Sequence, residues 1–107
     1  FSLTIAGCFG ETPPEIARDL PAKIAEKEPA FVNRLKSRFP DGSSHVRLSE
    51  ILSGQGFRIT QPQPGQWRAD IEVRGGDCQF VYSVLWRSSD NDKIRNIDGR
   101  IPPPSCL

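Results

Sequence analysis

Few residues in this sequence have the types and spacing that chemistry requires, and each has a plainer use. His45, the single histidine, follows Ser43 and Ser44. A hydroxyl and an imidazole are parts of a nucleophilic site, but such groups are brought together by the fold rather than by adjacency in the chain. At a helix start, His45 is expected on the surface or at the cap rather than as a general base. Asp90-Asn91-Asp92 offers oxygen ligands in a row, yet it lacks the glycine and distal glutamate of a calcium loop, so a hairpin turn is expected there. Glu72 lies between Arg68 and Arg74, a carboxylate among guanidiniums, and alternating charges on a strand face are ordinarily solvated. No CxxC, HxxxH or mixed His/Cys/carboxylate set is present, so no zinc site is expected. The expectation is a protein with no catalytic residue, no metal and no cofactor.

Cysteine is the remaining reactive type. Three are present, Cys8, Cys78 and Cys106. In an oxidising compartment the odd count predicts one bridge, Cys78–Cys106, with Cys8 put to another use. That bridge fastens the proline-rich tail and contributes about 3–4 kcal/mol on the chain-entropy view.

These residues must be positioned by a small body. A chain of 107 residues makes one domain with one modest core. Its formal charge of +1 supplies no electrostatic reason for a nucleic-acid partner. Arg34, Lys36 and Arg38 are offset by acidic residues, with no aromatic platform beside them, and are expected on a solvated helix face. Methionine is absent even at position 1, and the expectation is that the chain begins downstream of its natural start.

The organising element is Cys78–Ser88, CQFVYSVLWRS, rich in β-branched and aromatic residues that suit a pleated strand. The period of two puts Cys78, Phe80, Tyr82, Val84 and Trp86 on one face and Gln79, Val81, Ser83, Leu85 and Arg87 on the other. Before it, Trp67, Ala69, Ile71 and Val73 alternate with Arg68, Asp70, Glu72 and Arg74. Gly75-Gly76-Asp77 is a tight turn between the two. Phe57–Thr60 starts the sheet, and the proline-rich stretch Gln61–Gln66 is expected as an exposed loop. Ser89–Asp92 turns into a last strand over 93–101, where the broken alternation predicts a bulge near Asn96.

The first half reads as helical. Thr12-Pro13-Pro14-Glu15 predicts a capped helix start, with Ile16, Leu20 and Ile24 on one face. Pro21 and Pro29 divide the segment, so a second piece is expected over about 29–39 with Phe31, Val32, Leu35 and Phe39 inward. Ser44 caps a third helix through about Leu52, and Gly54 and Gly56 stop it. Helices followed by strands predict an α+β, two-layer domain, with the N-terminal helices packed on one face of a four-stranded antiparallel meander. The sheet face away from the helices carries Arg68, Glu72, Val81, Leu85 and Arg87. These, or the Gln61–Gln66 loop, are the candidate protein-binding surface.

Two resemblances bear on function. Ile5-Ala6-Gly7-Cys8 resembles the bacterial lipobox, which implies that residues 1–7 end a signal peptide and that Cys8 becomes a lipidated N-terminus. The alternative is that Phe1, Leu3 and Ile5, alternating with Ser2, Thr4 and Ala6, form an edge strand. On the lipobox view residues 1–10 are signal remnant and anchor, and residues 11–107 are the single α+β domain. Phe9, in place of aspartate, implies the outer membrane. Phe39–Thr60, FPDGSSHVRLSEILSGQGFRIT, together with Trp86–Ile94, resembles the small lipoproteins of the outer-membrane barrel-assembly machine and β-lactamase-inhibitor-protein-like domains. It differs from them in a long helical stretch before Phe39. What this implies is a lipid-anchored protein on the periplasmic side of the envelope that binds another envelope protein, touches the membrane only through its anchor, and needs no nucleic acid or small-molecule cofactor. An inhibitor of a hydrolase such as lysozyme, or a small secreted hydrolase, is the alternative.

Overall fold

A computed structural model describes residues 12–107. The lipobox, Cys8 and the alternative edge strand lie outside the described residues. The remainder is an α+β domain. A short 3-10 turn (Glu15–Ala17) leads to α1 (Ile24–Arg38) and α2 (His45–Gly54). The strands β1 (Arg58–Gln63), β2 (Gln66–Gly75), β3 (Cys78–Ser88) and β4 (Ile94–Arg100) follow, with a two-residue β5 (Ser105–Cys106). Strands β1–β4 pair antiparallel in chain order, so the expected meander is present.

The helices cover one face, and the core lies between the layers. Phe31 and Leu35 from α1, Phe39 at its C-cap, and Leu48 and Leu52 from α2 are buried against Ala69, Val73, Tyr82, Val84 and Trp86. Phe31 meets Tyr82 edge-on at 6.0 Å between ring centres, the geometry that aromatic quadrupoles prefer. Gly99 on β4 lets α1 come close. A Cβ there would stand 2.7 Å from Phe31 Cδ2 and 2.9 Å from Leu35 Cδ1.

Three expectations need correction. The stretch after Thr12 is a 3-10 turn without a side-chain cap rather than a capped helix. Ile16 is buried and Leu20 half-buried, but Ile24 is exposed. Asp19 takes a positive φ of 58°, and Pro21 has no N–H to continue a helix. Pro29, expected to divide two helices, instead lies inside α1. Ala25, whose carbonyl loses its partner there, is exposed to water, which can take the place of the missing donor. Finally, Gln61-Pro62-Gln63 continues β1, with only Pro64-Gly65 turning. β1 is an edge strand, where a proline without N–H costs no ladder bond on its open side.

The predicted bulge is present. Leu85 opposes Asp98 but Arg87 opposes Arg95, so one residue is inserted in β4. Asn96 adopts φ 55°, and its N–H donates to Asp41 Oδ1 at 3.1 Å. The insertion lets Ile94 and Ile97 both reach the core. After Pro102-Pro103-Pro104, which lack donors, β5 resumes pairing with β3, setting Cys106 opposite Cys78. Those two form the expected disulfide.

Candidate interaction surface on the open sheet face

Strand alternation and cross-strand register build the outer face row by row. One row runs Thr60, Arg68, Leu85, Asp98, and the next runs Arg58, Asp70, Ser83, Arg100. Beyond them Glu72 opposes Val81. At the other end Gln66, Arg87 and Arg95 form a row. The five candidate residues therefore share one face, as the alternation predicted. Arg68 and Leu85 are direct neighbours, Glu72 and Val81 likewise, while Glu72 and Arg87 stand at opposite ends. Val81 and Leu85 are half-buried, and Arg68, Glu72 and Arg87 are exposed.

Its charges fall into two groups. Asp70 is an internal counter-ion: Arg68 Nε donates to it at 3.0 Å, and the buried Ser83 hydroxyl donates to Oδ1 at 2.5 Å. Gln79 Nε2 donates to Glu72 Oε1 at 3.0 Å. Arg100 pairs with Asp98. Burial pushes the Asp98 carboxyl up, but the hydrogen bonds from Arg100 and the Gly99 N–H outweigh it and hold the group below its ordinary value. By contrast, no ion pair or side-chain hydrogen bond reaches Arg58, Arg87 or Arg95 from any described residue. Arg58, Arg95 and Arg100 were not singled out in the sequence. Their place on this face follows from register, which a bulge shifts and which no single segment displays.

The alternative candidate surface adjoins the arginine row. Gly65 (φ 78°) closes the β1–β2 hairpin, and its carbonyl accepts the Ser88 N–H at 3.0 Å. The proline-rich hairpin and Arg87 thus share one end of the sheet.

His45 has a structural role richer than the surface position expected of it. It begins α2, stacks on Trp67 at 4.4 Å between ring centres, and accepts the Trp86 Nε1–H on Nδ1 at 3.0 Å. Ser44 serves as the predicted cap, its Oγ accepting the Arg47 N–H, and it donates to Asp92 rather than to His45. Asp92 also accepts the Val46 N–H at 2.8 Å. That backbone donor first, and then Ser44, hold its carboxyl below the ordinary range. The acidic turn thus completes the helix cap. Among the described residues no group of three or more His, Cys, Asp or Glu is placed to hold a metal ion, and no helix is long and apolar enough to cross a membrane.

Comparison with protein-family models, curated proteins and solved structures finds no match for this chain.

Proposed function

We propose that the chain is a bacterial cell-envelope lipoprotein whose folded domain is a non-catalytic protein-binding module serving envelope assembly or maintenance. The observation that carries this is the open sheet face. Half-buried Leu85 and Val81 lie on it two rows apart, on either side of the Asp70–Ser83 row, with Arg68, Glu72 and Arg87 around them, and apolar side chains set among polar and charged ones are the mixture found in protein interfaces. Arginine is also enriched among residues that dominate binding energy. The Cys78–Cys106 bridge supports an oxidising compartment, the periplasmic side of the envelope. The Ile5-Ala6-Gly7-Cys8 sequence supports a lipid anchor at Cys8, probed by mass spectrometry of the mature N-terminus.

The experiment is site-specific photo-crosslinking in envelope preparations. A crosslinker replacing Leu85 is expected to give a discrete adduct that the additional change Arg87→Glu removes. A crosslinker at Ser53, exposed on α2, is expected to give none. Equal adducts from both positions, or none from position 85, contradict the proposal.

A further inference from the structure

We infer that Arg87 and Arg95 form a carboxylate clamp, and that the partner of the open face presents an acidic protein segment to it. This rests on the binding role proposed above and names the partner's chemistry.

The two arginines are directly opposed in the β3–β4 ladder and both are exposed. Like charges in that position destabilise an antiparallel pair. Elsewhere on the face Asp70 supplies a counter-charge to Arg68 and Asp98 to Arg100, while the edge-strand Arg58 is paired by no described residue. No described residue supplies one to Arg87 or Arg95, and among the described residues only these two cations are set directly opposite each other. The other two members of the row, Gln66 and Gln63, are neutral, and no described residue neutralises either guanidinium. The opposition depends on the bulge. Continuing the Leu85–Asp98 register without it would set Asn96, not Arg95, against Arg87. A non-glycine residue at positive φ is thus part of what brings the two cations together.

Each guanidinium is a planar fork that fits a carboxylate through two parallel N–H donors. Two forks on adjacent strands, about 5 Å apart at Cβ, suit neighbouring acidic side chains. Gln66 adds an amide at one flank, and half-buried Leu85 lies one row away to take an apolar side chain. Charge complementarity of this kind sets the orientation and the association rate of a partner.

The test titrates the isotope-labelled full chain with the peptide acetyl-Glu-Glu-Leu-Glu-Glu-amide, followed by amide and guanidinium NMR shifts. The lysine counterpart, inorganic phosphate and phosphatidylglycerol vesicles are run alongside. The glutamate peptide is expected to shift Arg87 and Arg95, with affinity falling as salt rises, and the lysine peptide to shift neither. Arg87→Gln or Arg95→Gln is each expected to weaken the peptide about 5- to 10-fold. Shifts centred elsewhere, unchanged affinity in both variants, or a response only to phosphate or vesicles overturns the clamp. A second readout needs no ligand: Arg95→Gln is expected to raise Tm by about 1–4 °C by removing the like-charge opposition, and a fall in Tm overturns it. A silent peptide titration with crosslinking from position 85 intact removes the acidic partner but leaves the binding face. Loss of both removes the proposed role as well.

Discussion

The two faces of β3 obey different rules. Tyr82, Val84 and Trp86 are buried under the helices, and their neighbours across the strand are chosen by volume and shape. Val81, Leu85 and Arg87, interleaved with them in sequence, face outward among charges of which Arg68 and Arg100 are paired, while Arg58, Arg87 and Arg95 are paired by no described residue. A sheet with one face in water needs polar residues there, but it has no need of opposed arginines. The covered face therefore records what holds the domain together, and on our proposal the open face records what the domain binds.

The contrast breaks most sharply at adjacent positions. Trp86→Ala empties the centre of the core and is expected to cost about 3–5 kcal/mol in denaturant unfolding. Leu85→Ala, one residue along, is expected to cost about 1 kcal/mol or less. Comparable losses would erase the distinction between the faces. Next in size, replacing both Cys78 and Cys106 by alanine is expected to cost about 3–4 kcal/mol, a loss in the frame that leaves the NMR shifts of the Arg68–Leu85 row in place. Gly99→Ala should cost about 1–3 kcal/mol through the clash with Phe31 and Leu35. The smallest effect is in pH. Asp92 and Asp98 have folded-state values below the ordinary one. Their stabilisation is therefore present above the unfolded pKa of about 3.9 and is lost as pH falls through the lower folded values. The unfolding midpoint is expected to drop below about pH 4, and Asp98→Asn to flatten part of that drop.

Much of the covered face was legible in the sequence because burial imposes a period. The alternation in Cys78–Ser88, the helical spacing of Phe31, Leu35 and Phe39 and the bulge at Asn96 all follow from where apolar side chains must point, and the Ser44 cap follows from the unpaired N–H groups of a helix start. The disulfide followed from the cysteine count. What sequence misplaced was proline, whose effect depends on surroundings. Pro29 is tolerated within α1, and Pro62 is harmless because β1 lies at the sheet edge. The Thr12–Glu15 signature was a local helix signal overruled by Pro21. On the open face Arg68, Glu72, Val81, Leu85 and Arg87 were found by alternation alone. Arg95 was not, because its place opposite Arg87 exists only once two strands are aligned across a bulge.

The open face is free for a partner only if the opposed arginines do not serve the fold. Denaturant unfolding of the Arg87→Gln/Arg95→Gln double variant decides it. The midpoint is expected to equal or exceed that of the unaltered chain. A loss greater than about 1 kcal/mol, beyond the range of ordinary surface substitutions, would mean that the pair supports the sheet and would contradict a face reserved for a partner.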